Sequence, residues 1–127
     1  MSFNMDHADH FRHVFHLPND RRARATQRKL IVEEFGEFLE AEKVMIGGFV
    51  RNETDCLKEL ADLVYVCFQF AACMDWDLDQ ALLRVHESNL SKLNDEGQPE
   101  YRDDGKVLKG KNYHPPVLND LVKPYHV

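Results

Sequence analysis

Apolar residues recur at helical spacing through most of the chain, and residues that break helices are rare in its central part. Proline is absent between Pro18 and Pro99. The glycines of this span are Gly36, Gly47, Gly48 and Gly97. A stretch of this length with so few breakers predicts helices separated by short turns.

Apolar periodicity predicts four helices, at about residues 6–16, 22–46, 53–74 and 78–93. Gly47-Gly48 is a C-cap signal that ends the second helix. Asn52 is available as the N-cap of the third helix. Asp77, with Gln80 three residues later, resembles a capping box for the fourth helix. The chain is therefore predicted to be all-α.

The helical period is lost after Asn94, so residues 94–127 are predicted to form an irregular tail. Within it, residues 101–108 are predicted to form a small hairpin around Asp104-Gly105. A tail of this length without its own core is a disordered segment, an arm that wraps a partner or a lid over a site. The pattern alone does not choose among the three.

Composition indicates one globular domain of 127 residues, with 43% hydrophobic and 30% charged residues. The net charge of -6 disfavours sequence-independent nucleic-acid binding, which needs clustered Lys and Arg. The sequence contains no run of about 18 apolar residues, so no membrane span is predicted. Residues 1–10 lack the apolar stretch of a signal peptide. The three cysteines, Cys56, Cys67 and Cys73, all lie in the third predicted helix and are expected to be free thiols. A cytoplasmic location is the expectation that follows.

Two carboxylates lie at positions where helical periodicity places apolar residues. Glu34 projects between Ala41 and Met45 on the apolar arc of the second helix. Glu59 projects between Val66 and Phe70 on the third helix, whose apolar residues cover nearly the whole circumference. Such a helix is expected to be buried on most sides.

Each of these residues has an acidic partner three positions later, which places both side chains on one helix face. The pairs are Glu34 with Glu37, and Glu59 with Asp62. If the two helices form an antiparallel hairpin, all four carboxylates lie roughly 9 to 18 Å from the turn and can share one layer. Grouped carboxylates repel one another and raise each other's pKa, and a divalent cation such as Mg²⁺ or Mn²⁺ removes that conflict.

An alternative without a metal remains open. Lys58 precedes Asp62 by four residues and could form a plain ion pair with it. Acidic pairs at this spacing are also common on solvated helix faces. Two pairs at the same depth, one of them set in apolar surface, favour the metal site.

Polar residues in the fourth helix and the tail suggest contacts to an anionic ligand. Asn89 is predicted at the centre of the apolar face of the fourth helix, with Lys92 at its edge. Alternatively, Asn89 is a core residue whose side chain hydrogen-bonds a backbone group and contacts no ligand. The tail carries further cations, with Tyr113 nearby: Arg102, Lys106, Lys109 and Lys111. They would either lie in solvent or bring charge onto a polyphosphate.

Together these stretches resemble the all-α nucleotide pyrophosphohydrolase superfamily, which includes MazG and phosphoribosyl-ATP pyrophosphohydrolase. Its signature is Glu-Glu-x-x-Glu followed by Glu-x-x-Asp, and the corresponding segments are EEFGE at Glu33–Glu37 and ELAD at Glu59–Asp62. HESNLSKL at His86–Leu93 and DGKVLKGKNYHPP at Asp104–Pro116 resemble short, single-domain MazG-like members. The resemblance covers about residues 8 to 118.

The resemblance implies a four-to-five-helix bundle with an oligomeric core, in which residues 1–127 form one domain. It implies Mg²⁺-dependent conversion of a (d)NTP and water to a (d)NMP and pyrophosphate, in nucleotide-pool house-cleaning or control, by a homodimer or homotetramer. Glu34, Glu37, Glu59 and Asp62 would be the catalytic metal ligands, with Glu33 assisting and Mn²⁺ as a substitute. The residues expected to touch the nucleotide are Asn89, Lys92, Lys106, Lys109 and Tyr113.

Three other functions are considered. Phosphoribosyl-ATP pyrophosphohydrolase is one, ranked below a general (d)NTP enzyme because the tail resembles MazG-like members. A non-catalytic helical interaction module is the second. A di-iron or di-manganese bundle is disfavoured because it uses Glu-x-x-His pairs and neither acidic pair here contains a histidine.

Overall fold

The computed structural model describes residues 3–45 and 49–122, and for Phe3 the backbone alone. The helices in these ranges are α1 (Phe3–Val14), α2 (Arg24–Met45), α3 (Val50–Met74) and α4 (Leu78–Leu90), with 3₁₀ turns at Arg21–Ala23 and Asn119–Leu121. No strand occurs in the described ranges beyond one isolated bridge. The predicted all-α class is confirmed. No helix of the described chain is long and apolar enough to cross a bilayer.

The ends of two helices differ from the prediction. α3 begins at Val50 and has Phe49 in the N-cap position, so the prediction of Asn52 as N-cap is wrong. Asn52 Nδ2 instead donates to the Val44 carbonyl of α2, at 3.3 Å. α4 ends at Leu90 because the next residues follow a tighter turn, in which the Leu93 amide bonds the Leu90 carbonyl. Ile46 and the predicted Gly47-Gly48 C-cap lie outside the described residues.

The chain divides into two compact units, one up to Asp77 and one from Leu78 onward. In the first unit α2 packs along α3, and α1 packs on α3. The core of this unit lies around the C-terminal half of α3, where the buried apolar residues are Phe68, Ala71, Ala72, Cys73 and Met74. Met5 and Ala8 are the buried apolar residues of α1.

α3 is not buried on most sides, contrary to the prediction. In its N-terminal half Leu57 is 66% exposed, and Leu60 and Val64 are also exposed. On α2, Phe35 and Leu39 are about half exposed. Apolar periodicity shows which faces of a helix are apolar but not which of them are covered. The packing of α1, α2 and α3 covers only part of these apolar faces.

A buried arginine joins α1 to the loop after it and to α3. Arg12 is 1% exposed. Its Nε donates to Asn19 Oδ1 at 2.7 Å, and its Nη2 donates to the Pro18 carbonyl at 2.6 Å. Its Nη1 donates to Oε1 of Gln69 in α3, and Gln69 Nε2 in turn donates to the Ala8 carbonyl. This network fixes where α1 lies on α3.

The second unit contains the predicted hairpin. Tyr101 and Val107 form an antiparallel bridge, and the Arg102 amide donates to the Lys106 carbonyl at 2.7 Å. Gly105 closes the turn with a φ of 89°, a left-handed conformation that glycine adopts without strain.

The rest of the described tail is bound to α4 and the turn that follows it. Ser88 Oγ donates to the His114 carbonyl at 2.7 Å, and the His114 amide donates to Ser91 Oγ at 3.1 Å. Arg84 forms a two-pronged pair with Asp120, at 2.6 and 3.0 Å. These bonds argue against a disordered tail over its described part.

Candidate active site

Three of the four predicted carboxylates meet between α2 and α3. Glu34 comes from α2, and Glu59 and Asp62 come from successive turns of α3. One oxygen from each lies within 4.8 Å of the other two. The antiparallel packing of the two helices produces this grouping, because it brings the middle of α2 level with the first half of α3.

Two oxygens of this cluster are buried without a hydrogen-bond partner. They are Oε2 of Glu34 and Oε2 of Glu59. A buried polar atom with no partner costs free energy, and a charged one costs more. Oxygen donors gathered at this spacing are the ligands that Mg²⁺ and Mn²⁺ prefer. The donor set therefore fits a divalent cation.

The electrostatics of the cluster point the same way. Burial raises the pKa of Glu34 above its ordinary value, and a hydrogen bond with Glu37 and the charge of Glu37 raise it further. The charges of Asp62 and Glu59 add to the rise in this pKa. Without a cation the ionised form of Glu34 is therefore disfavoured, and a bound cation would reverse that preference.

Lys58 is the cation that already contacts the cluster. Its Nζ lies 2.8 Å from Asp62 Oδ2 and 3.5 Å from Glu59 Oε1. The hydrogen bond with Asp62 and the charges of Asp62 and Glu59 raise the pKa of Lys58. The ion pair that the sequence offered as an alternative to a metal site is thus present within the same cluster. Sequence reasoning treated Lys58 only as that alternative and not as part of the site.

Glu37 lies beside the cluster and not within it. It is exposed, it bonds to Glu34, and it borders a groove of about 930 Å³ between α2 and α3. The residues that line this groove are Glu33, Gly36, Glu37, Glu40, Ala41, Val44, Asn52, Asp55, Lys58 and Glu59. Ligand pockets are commonly about 300–1,000 Å³, so the volume of this groove lies in the range of small-molecule sites.

The remaining predicted site residues all lie in the second unit. Asn89 is exposed, so it is not a core residue that satisfies a backbone group, and its contact with the nucleotide stays a prediction; the buried polar residue of α4 is its neighbour Ser88. Lys92 and Tyr113 are half-buried. Lys106 and Lys109 are exposed, and Lys109 Nζ lies 4.8 Å above the centre of the Tyr113 ring.

Two of the tail cations are already paired within the second unit. Arg102 pairs with Asp104, and Lys111 pairs with Asp95. The partners lower the pKa of both carboxyls through these hydrogen bonds. Within the described ranges, Lys92 and Lys106 form no ion pair, so their charge is not committed to a carboxylate of the chain.

The carboxylate cluster lies between two helices of an all-α unit. This arrangement agrees with the class of all-α nucleotide pyrophosphohydrolases, whose signature is a pair of acidic motifs. The sequence model of the family described as "Phosphoribosyl-ATP pyrophosphohydrolase" matches residues 11–89, more than half of the chain. The chain therefore belongs to this family, within the MazG-like all-α superfamily. It is a pyrophosphohydrolase that acts on a nucleotide-like substrate, in a family whose hydrolases are typically metal-dependent. No curated protein matches the chain.

Proposed function

We propose that the protein is a Mg²⁺-dependent nucleoside triphosphate pyrophosphohydrolase, which converts a (d)NTP and water to a (d)NMP and pyrophosphate. The observation that carries the proposal is the convergence of Glu34, Glu59 and Asp62, with two buried oxygens left without partners. A role in nucleotide-pool house-cleaning or control, in the cytoplasm, is the biological context we propose.

Glu34, Glu59 and Asp62 would hold the ion, with Mn²⁺ as a possible substitute for Mg²⁺. When bound, Mg²⁺ offsets phosphate charge and makes water a better nucleophile at neutral pH. Glu37 is the group we assign as proton acceptor from the attacking water, because it is exposed, adjoins the groove and contacts Glu34. Glu33 lines the same groove and would assist.

The proposed substrate contacts of the second unit rest on the sequence resemblance. Lys92 and Lys106 are not committed to carboxylates of the described chain, which leaves them able to meet phosphate oxygens. Positive charge at the leaving pyrophosphate would stabilise the transition state. Lys109, Tyr113 and Asn89 complete the proposed set.

Phosphoribosyl-ATP is the second candidate substrate, and the name of the matching family favours it. Its hydrolysis breaks the same α–β phosphoanhydride bond, so the carboxylate cluster serves both reactions equally. The two candidates differ only in the group attached to the triphosphate.

A substrate screen tests the proposal. Purified protein with Mg²⁺ is offered canonical (d)NTPs, modified (d)NTPs and phosphoribosyl-ATP, and the products are identified by chromatography. Release of a nucleoside monophosphate and pyrophosphate from a (d)NTP supports the proposal. Turnover of phosphoribosyl-ATP alone selects the second candidate. Release of orthophosphate with a diphosphate product would contradict both.

A further inference from the structure

We propose that Lys58 is a resident counter-ion, which holds the carboxylates of Asp62 and Glu59 when no metal is bound and competes with the divalent ion for them. Lys58 would thereby set the metal concentration at which the site fills. This inference rests on the proposed function, because it assumes that the cluster is a metal site.

The contacts of Lys58 divide the cluster into an outer and an inner part. Nζ lies 2.8 Å from Asp62 Oδ2 and 3.5 Å from Glu59 Oε1, so one oxygen of each carboxylate has a cationic partner. Oε2 of Glu59 and Oε2 of Glu34 are buried and have none. Lys58 therefore compensates the cluster only in part, and the inner oxygens still lack a cation.

Lys58 is placed so that it can withdraw. Its side chain is 66% exposed, against 20% for Glu59 and 36% for Asp62, so the ammonium approaches the carboxylates from the solvent side. Lys58 also lines the groove between α2 and α3. Its flexible four-carbon stem can move the charge into that groove without moving any buried group.

A divalent ion coordinated by Asp62 must either displace the Lys58 ammonium or lie close to it. In the second case the two positive charges repel each other. Either way, the ion pair lost on metal binding weakens the observed affinity. Exposed pairs of this kind are modest in strength, so removing Lys58 should tighten metal binding by about two- to fivefold. The metal-free protein should in turn become slightly less stable, because Asp62 and Glu59 lose the cation that contacts them.

Calorimetric titration of the full chain with Mn²⁺ tests the proposal. Lys58→Met and Lys58→Gln should each lower the Kd for Mn²⁺ by about two- to fivefold relative to wild type. The matched control is Lys43→Met, which removes the same charge and a similar ion pair, Lys43 with Glu40 at 3.4 Å, outside the cluster. Its Kd should equal the wild-type value. The rise in Tm on adding Mn²⁺ should be larger in both Lys58 variants than in wild type.

An unchanged or higher Kd in the Lys58 variants would overturn the proposal. So would an equal tightening in Lys43→Met, because net charge alone would then explain the effect. Asp62→Asn distinguishes a failure of the Lys58 proposal from a failure of the proposed metal site. If it leaves Mn²⁺ binding unchanged, the proposed metal centre itself is wrong, and the role of Lys58 falls with it.

Discussion

Glu59 carries a carboxylate that the fold alone does not stabilise. Its side chain is 20% exposed, and its Oε2 is buried without a hydrogen-bond partner. Residues retained at a cost to stability are expected where chemistry requires them. Glu59 should therefore show opposite effects on activity and stability when it is replaced.

Glu59→Gln keeps the shape of the side chain and removes its charge. Turnover should fall by at least about a hundredfold, since even residues that only support metal ligands cost 10–100-fold when replaced. The free energy of unfolding in chelator should not fall, and should rise by up to about 1 kcal/mol, because Lys58 compensates this carboxylate only in part and its buried Oε2 has no partner to lose. Steady-state kinetics and urea unfolding measure the two effects.

The control for this variant is Glu53→Gln, which makes the same change at an exposed position of α3. Its activity should match wild type, and its stability should fall by no more than about 1 kcal/mol, because Glu53 lies in the first turn of α3. Wild-type turnover in Glu59→Gln would exclude the proposed mechanism.

Glu34 should give the metal-free protein a distinctive pH dependence. Because its folded pKa is raised, its contribution to stability is fully present below its unfolded value of about 4.5 and is lost as pH rises through the folded pKa. Glu34→Gln cannot ionise. In chelator it should therefore be more stable than wild type at neutral pH, and the difference should shrink as pH falls towards 4.5. Urea unfolding at several pH values measures this difference, and a gap that does not change with pH would contradict it.

Sequence reasoning located the carboxylates better than their surroundings. Glu34 and Glu59 stand out because helix geometry fixes their direction among apolar neighbours. The role of Lys58 could not be read in the same way, because a long side chain reaches several partners and its rotamer depends on the packed structure. The bond of Ser88 to the tail could not be predicted, because periodicity within α4 does not reveal the segment that packs on it.

At the scale of elements, the position of α1 depends on one buried charge. Arg12 donates to the Asn19 side chain, the Pro18 carbonyl and the Gln69 side chain. Asp9 lies near enough for the charge of Arg12 to act on its pKa, although burial raises that pKa overall. Removing Arg12 would leave the buried Gln69 Oε1 and two part-buried acceptors, Asn19 Oδ1 and the Pro18 carbonyl, without this donor.

Arg12→Met should lower the free energy of unfolding by about 1–3 kcal/mol, because the buried Gln69 Oε1 and two part-buried acceptors lose their donor. Arg12→Lys should not restore it, since an ammonium cannot reproduce the forked geometry. Arg28→Met, at an exposed position of α2, is the control and should change stability by less than about 0.5 kcal/mol. Urea unfolding measures all three, and a wild-type midpoint for Arg12→Met would show that the network adds nothing.

The tail depends on α4 in a comparable way. Ser88 is 2% exposed and its hydroxyl donates to the His114 carbonyl. Ser88→Ala should lower the local stability of residues 110–121 by about 1–2 kcal/mol, because that carbonyl loses its buried donor. Hydrogen exchange should show faster exchange of these amides, with α2 and α3 unchanged. Unaltered protection in Ser88→Ala would contradict the prediction.

The number and order of the helices could be predicted because apolar periodicity and the shortage of Pro and Gly act locally. The ends were less predictable. Asn52 has the chemistry of an N-cap, yet its side chain bonds to Val44, and α3 begins two residues earlier. The start of α3 depends on contacts between helices, and a local sequence pattern does not reveal such contacts.

At the scale of the whole molecule, exposed apolar residues on α2 and α3 support the proposed homodimer or homotetramer. Phe35, Leu39, Leu57, Leu60 and Val64 are all exposed on the described chain. Leu57, Leu60 and Val64 border one groove, and large exposed apolar patches are typical of interaction sites. Light scattering should give a native mass of two or four times 14.8 kDa, and Leu60→Glu should shift the population towards the single chain. A single-chain mass for the wild type at micromolar concentration would contradict the proposal.

The most direct test of the carboxylate centre is the number of Mn²⁺ ions bound per chain, measured by electron paramagnetic resonance in the absence of substrate. Wild type should bind Mn²⁺, and the double variant Glu59→Gln/Asp62→Asn should lose that binding while its circular dichroism remains helical. Equal Mn²⁺ binding by wild type and the double variant, or none by wild type, would show that Glu34, Glu59 and Asp62 do not form the metal centre.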